Sequence, residues 1–289
     1  MRIGISGQAL GDVMSMAEIV KIGRRYGVRE YEIWPVNAPG EGASYAARDV
    51  KTLVQLQRDE DVRIYTVTMG AAFDADSCRS ESGYAKLLCE AIDAAAALDA
   101  KVVNHYLYWL NMSEVHDYAH LEACWKEPLE HARQAGVRLA LENEAHDGSR
   151  TPELMRAILD HFDDHFFLTN FDATNYLHAS AEGFPAGYEI LRDKIGYVHI
   201  KNGCLHRYGA GQPEICTGAP MSGHYNPRPI QYTPLPDGAV NIAGLLTRIR
   251  EDGLYDGVCT FEPHTHTAES VCAFYDREIT WLKQLGFME

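Results

Sequence analysis

Four residues of types that bind metal ions stand at the ends of four consecutive β-rich runs. The segments LALENE, TNFDATN, YVHIKN and CTFEPH supply Glu142, Asp172, His199 and Glu262. Their successive separations are 30, 27 and 63 residues. The first two separations match one strand–helix unit of about 30 residues, and the third contains a longer connection. The spacing therefore places one candidate ligand at the same end of each successive strand.

This residue set suits a divalent cation. Residues i and i+2 of a strand share a face, so Ala140 and Glu142 point inward together, as do Thr260 and Glu262. Carboxylates gathered in a buried site repel one another unless a cation compensates them. Three carboxylates and one imidazole favour Mn²⁺, with Mg²⁺, Co²⁺ and Zn²⁺ as alternatives. Each residue could instead cap the next helix or pair with a lysine, but the repetition on four strands favours one metal ion.

Strands and helices alternate along the whole chain, and this alternation must position the four residues. Stretches of helical length with periodic apolar residues separate eight β-rich runs. Such repetition predicts one (β/α)8 TIM barrel over residues 1–289, with the active site at the carboxyl ends of the strands. An open doubly wound sheet is the alternative, but no GxGxxG motif follows the first run. The predicted strands are Ile3–Ser6, Glu30–Trp34, Val62–Met69, Lys101–His105, Arg138–Glu142, Phe167–Asp172, Gly196–Lys201 and Gly257–Glu262.

Local signals predict several details of the connections. Thr151 and Asn241 are expected to be helix N-caps, and Pro152 and Pro185 suit the first helical position. Pro128 lies inside the fourth helical stretch and predicts a kink or break there. Residues 202–239, after the seventh strand, are rich in Gly, Pro and aromatic residues. They predict a long loop insertion that acts as a lid or binding loop.

The motifs GVRLALENE, FDATN, YVHIKN and TFEPH carry a resemblance to a known family. Over essentially its whole length the chain resembles the xylose isomerase-like TIM barrel superfamily of sugar isomerases and epimerases, inosose-pathway enzymes and endonuclease IV. The resemblance implies that Glu142, Asp172, His199 and Glu262 bind one divalent metal, with Glu142 and Glu262 flanking the substrate to move protons. Where epimerases usually carry a histidine, this chain has Asn175, which we expect to contact the substrate. The arginine motif of sugar epimerases and the extra histidine ligands of endonuclease IV are not evident.

Further residues near these ligands are candidates for proton transfer and substrate binding. Glu144 and His146 continue the same-face spacing of the fifth strand. His146 is predicted to be a proton shuttle because histidine titrates near neutrality, and an exposed loop histidine is the alternative. Lys201 is predicted either to steady an oxyanion or to form a salt bridge with a ligand carboxylate. His105 and His264 are predicted to contact the substrate, with a core position as the alternative for each.

This centre suggests a metal-dependent enzyme that acts on a keto sugar. A metal ion that polarises a carbonyl acidifies the adjacent C–H, and a nearby base removes that proton. The enediolate is then reprotonated, which gives isomerisation or epimerisation, or it expels a leaving group. For the last case the chain resembles the catalytic subunit of C-glycoside-deglycosylating enzymes. That lyase eliminates an aromatic aglycone from a 3-keto sugar and works with a small β subunit.

Two other functions are alternatives to an isomerase or epimerase. In the lyase reading, residues 202–239 would line the aglycone pocket or the interface with the β subunit. In the other, the barrel binds a sugar or a partner protein without catalysis. We expect a sugar or glycoside as substrate, and a homo-oligomer or a hetero-oligomer with a small β subunit.

The amino-acid composition limits which binding partners and which cellular location we expect. The 26 Lys and Arg against 41 Asp and Glu give a net charge of −15, which argues against nucleic acid and anionic membrane surfaces as partners. No apolar run approaches the roughly 20 residues that span a bilayer. The seven cysteines form no CxxC pair, a pattern typical of reduced thiols in a cytoplasmic protein.

Overall fold

Parallel strands close into an eight-stranded barrel within the described part of the chain. The computed structural model describes residues 1–8, 14–70, 80–107, 110–205, 230–264 and 268–289. The strands are β1 Arg2–Ser6, β2 Glu30–Ile33, β3 Arg63–Thr68, β4 Val102–Tyr106, β5 Arg138–Glu142, β6 Phe167–Asp172, β7 Ile195–Ile200, β8 Asn202–Leu205, β9 Ile230–Thr233 and β10 Val258–Phe261. The barrel order is β1, β10, β7, β6, β5, β4, β3, β2, while β8 and β9 form a separate sheet.

Helices follow the barrel strands and cover the outside of the barrel, which confirms the predicted TIM barrel fold. Among the residues described, none of these helices is both long enough and apolar enough to cross a membrane. They are α1 Met16–Arg25, α2 Val50–Glu60, α3 Glu81–Leu98, α4 Tyr118–Ala135, α5 Pro152–Phe162, α6 Ala173–His178, α7 Tyr188–Leu191, α8 Ile242–Asp252 and α9 Ala268–Gln284.

The barrel interior is layered, and the period of two along each strand produces the layers. One layer is an apolar cluster of side chains that includes Ala140, Tyr197 and Val258. Two positions further along β5 and β7 the inward side chains are Glu142 and His199, and both are buried. A polar layer at the carboxyl ends of the strands therefore rests on an apolar layer beneath it.

The predicted helix signals are confirmed in part. Thr151 and Asn241 cap α5 and α8, because their side chains accept hydrogen bonds from backbone N–H groups three residues later. Pro152 occupies the start of α5 as predicted. The prediction for Pro185 is wrong, since this residue follows a cis peptide bond inside the π-helical turn Gly183–Gly187 and α7 begins only at Tyr188. Pro128 does not break α4, which continues through it.

The insertion after β7 begins and ends as a hairpin. β8 and β9 pair in antiparallel register, with Asn202 opposite Thr233, so these parts of the predicted loop are regular structure. Residues 206–229 of the insertion lie outside the described residues. The Asn202 side chain closes the base of the hairpin by donating to the carbonyls of Leu235 (2.7 Å) and Val240 (2.9 Å). These contacts hold the hairpin beside the carboxyl end of β7.

Candidate metal centre

The four candidate ligands converge at the carboxyl end of the barrel. Glu142, Asp172, His199 and Glu262 are 1%, 0%, 1% and 2% exposed. Each offers one ligand atom, and all four of these atoms lie within 4.8 Å of one another. The strand register accounts for part of this arrangement, because Asp172 of β6 lies directly opposite His199 of β7. The structure therefore brings together a donor set that could hold a metal ion.

The His199 ring lies between carboxylates on two sides. Its Nδ1 is 3.0 Å from Glu142 Oε1 and 3.4 Å from Glu262 Oε2. Its Nε2 is 2.8 Å from Glu32 Oε2, on β2. Burial lowers the pKa of His199, but the surrounding carboxylates outweigh burial and hold that pKa well above its usual value. Glu32 is a functional candidate that the sequence analysis missed, although the alternation in EYEI turns it toward the barrel interior.

Lys201 forms buried ion pairs with two of the ligand carboxylates. Its Nζ lies 2.6 Å from Glu262 Oε2 and 2.9 Å from Asp172 Oδ2. This is the salt bridge that the sequence left open as an alternative to an oxyanion contact. Burial raises the pKa of Glu262, but His199 and Lys201 hold it well below its usual value. The lysine thus compensates part of the negative charge that the ligands bring together.

The other oxygen of Asp172 caps α6. Asp172 Oδ1 accepts hydrogen bonds from the backbone N–H of Thr174 (2.8 Å) and Asn175 (2.9 Å). Helix capping, the alternative interpretation of these strand-end residues, therefore applies to this aspartate. Because its two oxygens face different partners, Asp172 caps the helix with one and faces the ligand cluster with the other.

Amide side chains fix the Glu142 carboxylate. Asn104 on β4 donates through Nδ2 to Glu142 Oε2 at 2.9 Å, and Asn175 donates to Glu142 Oε1 at 3.3 Å. Asn170 Nδ2 donates to Asn104 Oδ1 at 3.0 Å, which continues the network across β6. Asn175 lies where we expected a substrate contact, and in this structure it orients the glutamate. Asn104 was not predicted from the sequence.

The charges of the cluster fit a divalent cation. Within the described part of the chain, four buried carboxylates, Glu32, Glu142, Asp172 and Glu262, lie beside three basic side chains, Lys201, His199 and His264. Even with both histidines doubly protonated, one negative charge is left without compensation, and such a group is costly to bury. Three carboxylates and one imidazole are also suitable ligands for several divalent metals. These residues therefore fit the predicted divalent metal ion.

Two further predicted residues lie around this centre. Burial and then the nearby Glu142 charge raise the pKa of Glu144 well above its usual value. The His264 Nε2 is 3.2 Å from Lys201 Nζ, and its ring stacks on Tyr232 of β9 with centroids 4.2 Å apart. The insertion hairpin therefore contributes an aromatic side chain beside the predicted site.

His146 is buried rather than exposed, with only 8% of its surface accessible. Its ring packs edge-on against His178, with 5.4 Å between the centroids. Its Nδ1 has no hydrogen-bond partner among the described residues, and burial lowers the pKa of its ring. The exposed-loop alternative for His146 is therefore wrong, while the proton-shuttle role stays a prediction.

The structure does not bring His105 to the centre. Its side chain lies on the outer face of β4, packed against Trp125 and Phe167 with centroids 5.7 Å from each. Its Nδ1 is 2.9 Å from the Tyr84 hydroxyl, and burial lowers its pKa to about 3. The expected substrate contact is corrected to a core position, because the inward residues of β4 are its neighbours Asn104 and Tyr106.

Solved structures share this fold. A xylose isomerase domain protein from Planctomyces limnophilus has a TM-score of 0.72 at 14% identity, over 98% of this chain and 95% of that one. A D-tagatose 3-epimerase-like protein gives 0.67 at 18% identity, over 100% of both chains. A xylose isomerase-like TIM barrel protein from Mycobacterium smegmatis, in complex with magnesium, gives 0.64 at 21% identity over 94% of this chain and 88% of that one.

Sequence comparison assigns the family. Among curated proteins, none is significantly similar to this chain. A family model described as xylose isomerase-like TIM barrel matches residues 20–288, which is nearly the whole chain. The match spans all four ligand motifs from the sequence analysis, and the barrel described above has the corresponding fold. The chain therefore belongs to the xylose isomerase-like TIM barrel family.

Proposed function

We propose that this protein is a divalent-metal-dependent enzyme that moves a proton beside the carbonyl of a keto sugar. The observation that carries the proposal is the buried convergence of Glu142, Asp172, His199 and Glu262 within 4.8 Å at the carboxyl end of the barrel. That end is where TIM-barrel enzymes place their active sites. Membership of the xylose isomerase-like family supports sugar chemistry as the reaction class.

The chain's own residues supply oriented proton acceptors and a fixed positive charge. A divalent metal, when bound, would polarise the substrate carbonyl and make the neighbouring C–H more acidic. Glu142 is oriented by Asn104, and Glu262 by Lys201, so each carboxylate is held ready to accept or return a proton. The Lys201 ammonium, paired with Glu262 at 2.6 Å, would also stabilise negative charge that develops on a substrate oxygen.

The first experiment measures metal content and proton exchange together. We expect the purified protein to retain a stoichiometric divalent metal in elemental analysis, and Glu142→Gln and His199→Asn to lose most of it. Asp93→Asn is a matched control, since Asp93 is exposed on α3 and pairs with His131. The metal-loaded enzyme should incorporate solvent deuterium into a keto sugar, with ketohexoses tested first because a D-tagatose 3-epimerase-like protein shares the fold. Unchanged metal content in both site variants would refute the proposal.

A second candidate is a lyase that eliminates an aromatic aglycone from a 3-keto C-glycoside with a small β subunit. The specific observation in its favour is Tyr232, which the insertion hairpin places in a face-to-face stack on His264, next to Lys201. Aromatic rings at this position suit an aromatic leaving group. Parallel assays with a free ketohexose and a 3-keto C-glucoside, each with and without a co-expressed small subunit, separate the candidates. Turnover of the ketohexose alone removes the lyase.

A further inference from the structure

Glu32 is a buried carboxylate that neither candidate reaction uses. It lies on the inner face of β2 and is 0% exposed. Its Oε2 is 2.8 Å from His199 Nε2 and accepts a hydrogen bond from the Tyr197 hydroxyl at 3.0 Å. Its Oε1 accepts a hydrogen bond from the Thr68 hydroxyl. Burying a carboxylate in a barrel interior costs free energy, and apolar side chains could fill the same space. Packing alone therefore does not explain why a glutamate occupies this position.

The contact with Glu32 determines which nitrogen of His199 keeps its proton when a metal binds. A carboxylate only accepts hydrogen bonds, so Nε2, which faces Glu32, carries a proton. Nδ1 lies 3.0 Å from Glu142 Oε1 and 3.4 Å from Glu262 Oε2, so without a metal it too faces carboxylates as a donor. Nδ1 is, however, the nitrogen that lies among the other ligand atoms, so it is the one that would lose its proton and offer a lone pair to a metal, while Nε2 stays protonated against Glu32.

The orientation of the imidazole ring is fixed by the same contacts. Tyr197 precedes His199 by two residues on β7 and shares its face, and their ring centroids are 5.1 Å apart in an edge-on arrangement. Because Tyr197 also donates to Glu32, the tyrosine, the glutamate and the histidine form one connected unit. Histidine ligands are commonly oriented through a hydrogen bond from the second ring nitrogen to a carboxylate.

We propose that Glu32 is a positioning residue that holds His199 with its proton on Nε2 and presents Nδ1 to a divalent metal. This inference rests on the metal centre of the proposed function. Glu32 acts through His199 and contributes no ligand atom of its own. Its removal should therefore weaken metal binding without emptying the site.

The test compares Glu32→Gln with His199→Asn and with the surface control Asp93→Asn. Zn²⁺ affinity is measured by competition with a chromophoric chelator, and the metal-free proteins are melted to check their folding. We expect Glu32→Gln to weaken Zn²⁺ binding about 10–100-fold and His199→Asn to abolish it. Asp93→Asn should stay close to the wild type, since Asp93 is exposed on α3 and pairs with His131, away from the centre.

A second readout uses the folded wild-type protein, with His199→Asn for signal assignment. In long-range ¹H–¹⁵N spectra of the Zn²⁺-loaded protein, the His199 signals are identified by their loss in His199→Asn, and the proton should be on Nε2. A proton on Nδ1, or an unchanged Zn²⁺ affinity in Glu32→Gln, would overturn the role of Glu32 while the metal centre stands. Failure of the wild type to bind Zn²⁺, Mn²⁺ or Mg²⁺ would instead overturn the proposed function together with this inference.

Discussion

Replacing Lys201 by methionine tests how the centre balances its charges. Methionine keeps an unbranched side chain of similar length but removes the ammonium that lies 2.6 Å from Glu262 and 2.9 Å from Asp172. Both carboxylates are buried, so water cannot take over the lost interaction. The change therefore leaves two neighbouring carboxylates without their shared cation.

The expected loss of stability in the metal-free protein is large. Removing one partner of a buried ion pair costs about 3–5 kcal/mol, because a charge is left buried without compensation. At roughly 2–3 °C per kcal/mol for a chain of this size, the melting temperature should fall by about 6–15 °C. Lys101→Met is the matched control, since Lys101 pairs with the exposed Asp99 on the surface and should change stability by less than about 1 kcal/mol.

Metal binding should reverse most of this loss. A divalent cation beside Asp172 and Glu262 restores the missing positive charge, so saturating Mn²⁺ should stabilise Lys201→Met more than it stabilises the wild type. The assay is thermal unfolding followed by circular dichroism, with a chelator and then with Mn²⁺. An equal loss in both conditions would refute the idea that Lys201 and the metal compensate the same carboxylates. A metal-free variant that melts with the wild type would refute the charge argument itself.

Two further predictions concern pH and stability. His105 has a pKa of about 3 in the folded protein, below the unfolded value near 6.5. The free energy of unfolding of the wild type should therefore fall by about 2 kcal/mol between pH 7.5 and pH 5, and that of His105→Phe should not show this fall. Urea unfolding at both pH values measures the difference. Burial raises the pKa of Glu278 well above its usual value. Ionisation of this carboxyl is therefore easier in the unfolded chain than in the folded protein, and the free energy of unfolding falls as the pH rises above about 4.5. Glu278→Gln should accordingly gain melting temperature over the wild type at pH 8 and gain little at pH 4, and an equal gain at both would contradict the burial argument.

The strand pattern allowed much of the fold to be predicted from local sequence. β5 and β6 have the predicted bounds, Arg138–Glu142 and Phe167–Asp172, and the other barrel strands differ by one residue at an end or at both ends. Apolar runs with turn residues between them determine such elements locally. The side chains brought together by the barrel were predictable for the same reason, because each candidate ligand stands at a strand end that the sequence marks.

The orientation of the His105 side chain shows why an error of one residue in a strand boundary matters. The sequence predicted that the fourth strand ends at His105, whereas β4 continues to Tyr106. Since side chains alternate between faces, the inward positions are Asn104 and Tyr106, and His105 faces the helices. An error of one residue at a strand end thus exchanges a residue of the site for a residue of the core.

Partners from other strands could not be predicted in this way. Glu32 is 167 positions before His199 in the chain, and Asn104 is 38 positions before Glu142. Closure of the barrel brings β2 and β7 to the same interior, and the pairing of β4 with β5 brings Asn104 beside Glu142. From the sequence alone, the inward glutamate on β2 cannot be distinguished from any other acidic residue in a strand. Its role can be inferred only when the structure places the His199 ring beside it.

Lys201 joins the predicted metal centre to the insertion. Its ammonium pairs with Asp172 and Glu262, and it also lies 3.2 Å from His264, whose ring stacks on Tyr232 of the hairpin. A change in the charge at the ligands therefore reaches the hairpin through Lys201 and then His264. It follows that a substrate which draws Lys201 toward its own oxygen would also alter the support of the His264 ring. The hairpin residue Tyr232 and the residues that balance the charge of the metal site would then respond together.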